Sequence, residues 1–321
     1  MFNTPILLII FKRKYTALKV LDTIRNVKPK KLYIAADGWR NEEEKTKCID
    51  TREAVLEAVD WECEVKTLFQ DKNLGCCYGP VNAVNWLFEN EEQGIILEDD
   101  VIAETSFFYY CEKLLNYYKD NEKIMHISGD SPLDRKVGDA SYYFATVQHC
   151  WGWATWKRAW KYFDVTMESI NFEDVKKTIR KRYKDFNIKD YWQRWFPRIK
   201  KEHSSVWDYQ WTYCIISKNG ICINPSINLT SNIGFGEDST HTTNENDENI
   251  NSKTYPMDTE NIIHPKEIKC DERADFEIAI KRFNIKPFSL TSNITREIKR
   301  IIMQIKGLFI KIILVYNVIF S

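Results

Sequence analysis

Residues 94–102 have the sequence GIILEDDVI, in which a short apolar run ends in three consecutive acids, Glu98, Asp99 and Asp100. The apolar run is typical of a buried strand. Packing does not favour three acids at its tip, because clustered carboxylates repel each other and lose hydration when half buried. Hard cations such as Mg²⁺ and Mn²⁺ prefer oxygen ligands, often one or two carboxylates together with substrate phosphates. The stretch predicts a metal–diphosphate site at the carboxyl end of a strand; an acidic turn after a strand is the alternative.

The composition is that of a globular protein without a charge bias. The 321 residues include 46 basic and 46 acidic side chains, so the formal net charge is zero. A nucleic-acid-binding protein normally shows a basic excess, and this chain has none. Aromatic residues make up 14% of the chain, with 11 Trp, which fits a core but also a site that stacks on bases or sugar rings.

The nine cysteines predict reduced thiols in a cytoplasmic protein. Their number is odd, no Cys-x-x-Cys pair occurs, and the adjacent Cys76 and Cys77 suit neither a zinc site nor an ordinary disulfide. Apolar residues 6–11 come before the basic residues 12–14, the reverse of the order in a secretory signal. No segment reaches the roughly 20 apolar residues that a membrane-spanning helix needs.

Short apolar runs alternate with helical patterns along the first part of the chain. We predict strands at residues 5–11, 31–36, 64–69, 94–97 and 124–128. We predict helices at residues 15–26, 42–59, 80–91, 106–118 and 171–200. This alternation indicates an α/β fold with a mainly parallel sheet flanked by helices.

Polar clusters follow four of these strands. They are Lys12-Arg13, Asp37-Gly38, Asp71-Lys72-Asn73 and Glu98-Asp99-Asp100. Ligands of such sheets bind beyond the carboxyl ends of the strands. We therefore expect the four clusters to surround one site.

Three later segments have residue types that suit a sugar-nucleotide site. Asp208 lies between Trp207 and Tyr209, and aromatic walls can raise the pKa of a carboxylate toward a value useful for proton abstraction; a helix-start Asp beside core tryptophans is the alternative. The Gly-rich and hydroxyl-rich residues 228–242 could hold a phosphate, and His241 could ligate a metal. The run 151–156 is dense in tryptophan and is either a stacking platform for a sugar ring or a corner of the core.

The last thirty residues predict a basic amphipathic helix. Apolar side chains recur at helical spacing, and basic ones lie between them: Arg296, Lys299, Arg300, Lys306 and Lys311. Such a helix can lie in a membrane interface. We expect contact with a membrane surface; docking on the rest of the chain or on a partner is the alternative.

The motifs and their order along the chain resemble those of GT-A-type nucleotide-diphospho-sugar glycosyltransferases. In chain order they are Lys12-Arg13, Asp37-Gly38, Glu98-Asp99-Asp100, Gly152-Trp153, Trp207-Asp208 and Gly234-Phe235-Gly236 with His241. The chain is similar to bacterial sugar transferases and, distantly, to the N-acetylglucosaminyltransferase that starts complex N-glycan branching. The resemblance covers roughly residues 5–245 and implies a GT-A-type, Rossmann-like sheet. It implies a catalytic domain at 1–245, with a nucleotide-binding half at 1–130 and an acceptor half at 131–245. An extension at 246–290 and the amphipathic helix at 291–321 would follow.

The resemblance also implies a role for each site residue. Asp100 and His241 would bind the Mn²⁺ or Mg²⁺ that bridges the donor diphosphate. Asp208 would be the base that deprotonates the acceptor hydroxyl, although the eukaryotic enzyme has two adjacent acids there. The donor would be bound by Arg13, Asp37, Glu98, Asp99, Trp153 and Ser239.

We therefore expect a metal-dependent hexosyl- or N-acetylhexosaminyltransferase. It would move a sugar from a nucleotide donor, by default a UDP-sugar, to a glycan or glycolipid acceptor with inversion at the anomeric carbon. Its place would be the cytoplasmic face of a membrane, in cell-surface polysaccharide synthesis. One alternative is a sugar-nucleotide nucleotidyltransferase, which would usually have a glycine-rich loop where residues 12–16 contain no glycine. The other is a non-catalytic carbohydrate-binding or membrane scaffold protein.

Overall fold

The computed structural model of the protein describes residues 2–133, 135–202, 206–234 and 251–289. The strands are β1 Ile6–Ile10, β2 Lys31–Ala36, β3 Glu64–Phe69, β4 Gln93–Glu98, β5 Val101–Ala103, β6 Ile124–Ser128, β7 Tyr142–Ala145, β8 Trp153–Trp156, β9 Ile221–Pro225 and β10 Thr230–Asn232. The helices are α1 Lys14–Arg25, α2 Glu42–Glu57, α3 Gly75–Asn90, α4 Thr105–Tyr117, α5 Lys157–Trp160, α6 Phe172–Arg182, α7 Phe186–Glu202, α8 Asp208–Ser217 and α9 Glu272–Lys281.

The central sheet has eight strands in the order β3-β2-β1-β4-β8-β6-β9-β7. The first four run parallel to one another. Strand β8 is antiparallel to its neighbours β4 and β6. Strand β9 runs parallel to β6, and β7 pairs antiparallel with β9 at the far edge of the sheet. Helices cover both faces of this sheet. The predicted α/β class, with a mainly parallel sheet flanked by helices, is confirmed.

Each face of the sheet carries its own apolar core. Alternate residues of β1 enter the two cores, with Leu8 on one side and Leu7 on the other. Helices α1 and α4 pack on the first side, and α3, α7 and α8 pack on the second. Because both faces of the central strands are buried, these strands read as continuous apolar runs, which is why their positions could be predicted.

The beginning of α3 depends on a side chain from another element. The sequence pattern predicts a helix from residue 80, but α3 begins at Gly75. Asp37, directly after β2, accepts hydrogen bonds from the amides of Leu74 at 2.8 Å and Gly75 at 2.9 Å. These two amides have no acceptor within the helix, and the carboxylate caps them. The cap brings the first turn of α3 to the carboxyl end of β2.

The predicted helical region 171–200 consists of two helices, α6 and α7. The chain leaves α6 at Tyr183, which is buried and has extended backbone. Asp185 then accepts hydrogen bonds from the amides of Asn187 at 2.8 Å and Ile188 at 3.1 Å and so caps α7. The break places α7 against α6 and α8 rather than in line with α6.

Residues 251–289 pack on the edge of the sheet. Cys270 bridges to Phe144 of β7, and the amide of Asp271 donates to the carbonyl of Phe144 at 2.8 Å. Asp275 of α9 accepts from the amide and the hydroxyl of Thr146 at 2.9 and 2.5 Å. Residues 251–289, within the part predicted as an extension, therefore contribute to the core. The predicted helix at 291–321 lies outside the described residues, and none of the described helices is long and apolar enough to cross a membrane.

Candidate active site

A cavity of about 550 Å³ lies at the carboxyl ends of β1, β2 and β4. Its volume falls within the range of about 300–1,000 Å³ that is usual for small-molecule sites. The first turns of α3 and α8 and residues around Gly234 complete the wall. Six of the predicted site residues line it: Arg13, Asp37, Glu98, Asp99, Asp100 and Asp208.

Arg13 pairs with two of the three acids after β4. Its guanidinium contacts Asp99 Oδ1 and lies 2.9 Å from Asp100 Oδ2. Asp99 Oδ2 also accepts from the amide of Phe11 at 3.1 Å. Arg13 therefore supplies part of the positive charge that the sequence analysis expects from a bound cation. One guanidinium cannot balance both aspartates, so the cluster keeps an excess of negative charge.

Asp100 has one carboxylate oxygen that no described residue uses. Its Oδ1 is buried and has no hydrogen-bond partner among the described residues. Burying an acceptor without a partner costs about 1–3 kcal/mol, so this oxygen has the capacity to accept a bound group. A hard divalent cation fits this oxygen. No three His, Cys, Asp or Glu side chains of the described ranges group to hold a metal by themselves, so substrate oxygens or other parts of the chain would complete the coordination.

The pKa of Glu98 reflects burial and repulsion between the neighbouring acids. Burial raises the pKa of Glu98, and the charges of Asp100 and Asp99 raise it further. The charge of Asp208 adds to this rise in the pKa of Glu98. Burial also raises the pKa of Asp99, while the neighbouring Arg13 opposes that rise. Asp208 lines the same cavity as the cluster after β4.

Gly234 lies directly against the Arg13–Asp100 pair. Strand β10 pairs with β5, and the next amide, that of Ile233, donates to the carbonyl of Asp100 at 2.7 Å. A Cβ at residue 234 would collide with Asp100 Oδ2 and would lie 2.6 Å from Arg13 Nη1. Only glycine allows the backbone to come this close to the acids.

We expect Gly234→Ala to damage the site more than the fold. The added methyl group would displace the carboxylate of Asp100, so cation-dependent binding of UDP should weaken at least about tenfold, the cost of one charge-assisted hydrogen bond. Titration calorimetry with UDP and Mn²⁺ measures this effect. Gly138→Ala is the control for backbone strain alone: Gly138 has a φ of +63° but a Cβ there meets no neighbour, and Gly138 does not line the cavity, so this variant should lose stability and keep its UDP affinity. Equal UDP affinity in wild type and Gly234→Ala would contradict the steric role.

Asp37 has no acceptor capacity left for a nucleoside base. Its two oxygens receive four hydrogen bonds, from the amides of Gly38, Leu74 and Gly75 and from the side chain of Asn73, at 2.8–3.0 Å. A carboxylate offers about four lone-pair sites, and these donors fill them. The geometry corrects the implied contact with the base: Asp37 holds the wall of the cavity by capping α3.

We expect Asp37→Ala to lower the free energy of unfolding by about 1–2 kcal/mol, as for loss of a helix cap. Urea denaturation followed by circular dichroism measures the change. Exposed Asp71, which receives no hydrogen bond from the described residues, is the control position, and Asp71→Ala should leave stability within about 0.5 kcal/mol of wild type. A variant Asp37→Ala with unchanged stability and strongly reduced UDP affinity would favour the base contact instead.

Asp208 is the first residue of α8 and lines the cavity. Its backbone carbonyl accepts hydrogen bonds from Gln148 Nε2 at 3.1 Å and from Thr212 Oγ1 at 3.0 Å, which fix the first turn of the helix. Trp207 forms the adjacent part of the cavity wall. A carboxylate in this wall, which also contains the acids after β4, can take a proton from a ligand hydroxyl.

Trp153 does not line the cavity. It lies in β8, is fully buried, and stacks on His126 with 5.2 Å between ring centroids. Its ring also packs against Trp207 at 5.4 Å and Trp160 at 5.9 Å. The implied contact of Trp153 with a donor is therefore corrected: it is a core residue behind the wall. The tryptophans of the wall are Trp151 and Trp207.

Sequence reasoning also missed residues that line the cavity. Arg40 lines it and pairs with Glu44, which in turn holds Lys12 at 2.9 Å. Arg282, after α9, lines it from the part of the chain predicted as an extension. No local pattern marks Arg282, because its position depends on the packing of α9 against β7. The predicted donor residue Ser239 and metal ligand His241 lie outside the described residues.

No protein-family model and no curated protein matches this chain. Among solved structures, HddC from Yersinia pseudotuberculosis is similar with a TM-score of 0.31 and 8% identity over 48% of this chain and 77% of that chain. TarS 1–349 from S. aureus has a TM-score of 0.34 and 8% identity over 49% and 48%. The 4-diphosphocytidyl-2C-methyl-D-erythritol synthase from Anaerococcus prevotii has a TM-score of 0.30 and 11% identity over 48% and 72%. Likenesses of this strength establish neither a family nor an activity.

Proposed function

We propose that the protein is a metal-dependent glycosyltransferase that moves a sugar from a nucleoside diphosphate donor to a hydroxyl group of a glycan or glycolipid. The observation that carries this proposal is the cavity itself. It brings Asp208 to the same space as Glu98, Asp99 and Asp100, although these residues lie far apart in sequence. A cluster of three acids and a separate acid in the wall of one cavity suit two separate tasks, binding of a leaving group and removal of a proton.

The acids after β4 would hold the diphosphate end of the donor. A bound Mn²⁺ or Mg²⁺ would offset the negative charge that develops on the departing diphosphate. Asp100 would hold this ion through Oδ1, the oxygen that no described residue uses. Arg13 and the amide of Phe11 fix the orientation of Asp99, and Arg13 also fixes Asp100 Oδ2. Contacts with Arg13 and Phe11 thus orient the two carboxylates whether or not an ion is bound.

Asp208 would act on the acceptor. Its carboxylate takes the proton of the acceptor hydroxyl, whose oxygen then forms a bond to the anomeric carbon of the donor sugar. The bond from that carbon to the diphosphate oxygen breaks, and its electron pair leaves with the diphosphate. A single displacement of this kind inverts the configuration at the anomeric carbon, so the proposed enzyme is inverting.

The proposals for the nucleotide, the binding partners and the cellular location rest on the sequence alone. UDP is proposed as the nucleotide because of the resemblance to GT-A-type enzymes. The basic amphipathic pattern of residues 291–321 is the support for a membrane contact. A place at the cytoplasmic membrane face and a role in cell-surface polysaccharide synthesis complete this proposal.

Ligand-dependent unfolding tests the proposal without knowledge of the acceptor. UDP with Mn²⁺ should raise the unfolding temperature, because a ligand at 100 times its Kd adds about 2.7 kcal/mol to stability. A carbohydrate-binding scaffold would not respond. A panel of sugar nucleotides then identifies the donor by slow release of free sugar and nucleoside diphosphate. Release of pyrophosphate from a nucleoside triphosphate and a sugar phosphate would mark a nucleotidyltransferase instead.

A further inference from the structure

Two neighbouring phenylalanines are exposed at the surface where the described chain ends. Phe186 begins α7 and is 55% exposed, Phe288 is 44% exposed, and their ring centroids lie 6.0 Å apart. Phe276 on α9 is also exposed and lies one turn after Glu272, which pairs with Lys184 at 2.6 Å. Single exposed apolar side chains are common, but neighbouring ones indicate an interaction site.

The fold fixes this aromatic pair in place. Asp185 caps α7 through Oδ1, and its Oδ2 accepts from the amide of Phe288 at 2.8 Å. Asn187 in the first turn of α7 donates to the carbonyl of Lys286 at 3.0 Å. These contacts tie the segment after α9 to the start of α7. The two rings are therefore presented by a structured surface, which we call the Phe186–Phe288 surface.

The two segments that carry the pair are basic, although the whole chain has no formal net charge. Residues 180–189 and 284–289 contain one acid, Asp185, and six basic residues: Arg180, Lys181, Arg182, Lys184, Lys189 and Lys286. The Lys184 side chain is 87% exposed. The neighbouring acid Glu272 is shared between Lys184 and Lys269, which lies 3.9 Å from it. The Phe186–Phe288 surface thus combines apolar rings with an excess of positive charge.

The sequence continues from this surface with the same two properties. The described chain ends at residue 289, directly after Phe288, and residues 290–321 have the basic amphipathic pattern. An anionic bilayer binds both apolar side chains and positive charge at its interface. A second copy of the chain fits less well, because a symmetric contact would bring like charges together.

The Phe186–Phe288 surface also lies close to the cavity. Arg282 in the cavity wall and Phe288 are six residues apart. An extended chain spans at most about 3.6 Å per residue, so the surface lies within roughly 20 Å of the wall. A bilayer at this surface would therefore bring lipid headgroups near the cavity.

We propose that the Phe186–Phe288 surface docks on an anionic lipid bilayer, with the two rings in the interface and the surrounding lysines and arginines on the headgroups. This inference rests on the membrane contact in the proposed function and adds the face of the folded domain that makes it. The contact sets the cavity beside the headgroups, where a glycolipid acceptor lies.

Sedimentation of the full chain with vesicles tests this surface. The wild type should bind vesicles of equal parts phosphatidylglycerol and phosphatidylcholine about tenfold or more tightly than vesicles of phosphatidylcholine alone. Phe186→Ser combined with Phe288→Ser should weaken binding to the anionic vesicles about tenfold or more, because two apolar side chains no longer leave water. Lys286→Gln should weaken it about fivefold at low salt. The Kd for UDP with Mn²⁺ should stay within about twofold in these variants, which also shows that they fold.

Tyr15→Ser combined with Tyr117→Ser is the matched control. Both tyrosines are exposed, and they lie on α1 and α4, which pack on the other side of the sheet from α7. This variant should bind vesicles like the wild type. Unchanged vesicle binding by the double phenylalanine variant would place the membrane contact elsewhere in the chain and overturn the surface. Self-association of the wild type that the phenylalanine substitutions abolish would assign the surface to a second copy instead.

The two proposals fail in different ways. A wild type that binds UDP with Mn²⁺ but binds neither kind of vesicle would overturn the docking surface and leave the proposed catalytic activity intact. A wild type that binds anionic vesicles through the two phenylalanines but does not bind UDP would overturn the proposed activity and leave the surface intact.

Discussion

Asp100→Ala should abolish the Mn²⁺ dependence of UDP binding and lower the turnover of the donor by on the order of 100-fold or more, since a catalytic metal contributes several kcal/mol of charge stabilisation. The reason lies in Asp100 Oδ1, a buried oxygen that has no hydrogen-bond partner among the described residues. Titration calorimetry with UDP, with and without Mn²⁺, measures the first effect. Release of nucleoside diphosphate measures the second.

The fold of this variant should survive. Removal of Asp100 breaks one contact with Arg13 but also relieves repulsion among the acids, and Arg13 keeps its pairing with Asp99. The unfolding temperature without metal should therefore change little. Asp50→Ala is the control, because Asp50 is exposed and pairs only with Lys14 among the described residues. Unchanged Mn²⁺ dependence in Asp100→Ala would show that the ion, if it binds, binds elsewhere.

Asp208→Asn should lower kcat by about 10²–10⁴-fold, the usual contribution of a general base. The amide has nearly the shape of the carboxylate, so the contacts of the backbone carbonyl with Gln148 and Thr212 remain and α8 should keep its first turn. The Kd for UDP with Mn²⁺ should stay within about twofold of wild type, because a base acts in the transition state and not in donor binding.

A matched substitution separates this effect from a general loss of charge. Asp190 lies on α7 and pairs with Arg194 at 2.8 Å, away from the cavity wall. Asp190→Asn should leave both kcat and Kd unchanged. If Asp208→Asn instead loses donor affinity while the bound donor turns over at the wild-type rate, Asp208 binds the donor and is not the base.

The central strands of the sheet, such as β2 and β6, could be predicted because they are buried on both faces, whereas the edge strand β3 is only partly buried. The predicted strands 31–36, 64–69 and 124–128 match β2, β3 and β6 residue for residue. Boundaries set by distant contacts could not be predicted in this way. The start of α3 depends on Asp37, and the break between α6 and α7 depends on the cap at Asp185. The strand β8 within the tryptophan-rich run was missed because aromatic density alone does not distinguish a core strand from a stacking platform.

In the candidate site, too, local sequence patterns predicted some features, whereas distant contacts set others. The clusters at the ends of the parallel strands could be expected to meet, and the structure brings Arg13, Asp99 and Asp100 together. The pairing between them could not be read from sequence, because it depends on side-chain geometry. Arg282 reaches the cavity only because Asp275 and its neighbours on α9 pack on Thr146 and β7, a long-range contact without a local sequence pattern.

A crystal soaked with MnCl₂ and UDP, with anomalous diffraction data collected at the manganese edge, locates the ion itself. A metal-dependent transferase of the kind proposed should show a manganese peak in the cavity within bonding distance of the Asp100 carboxylate and of the UDP diphosphate. UDP bound in the cavity without a manganese peak, or a peak far from Asp100 while Arg13 still holds both Asp99 and Asp100, would contradict the proposed site.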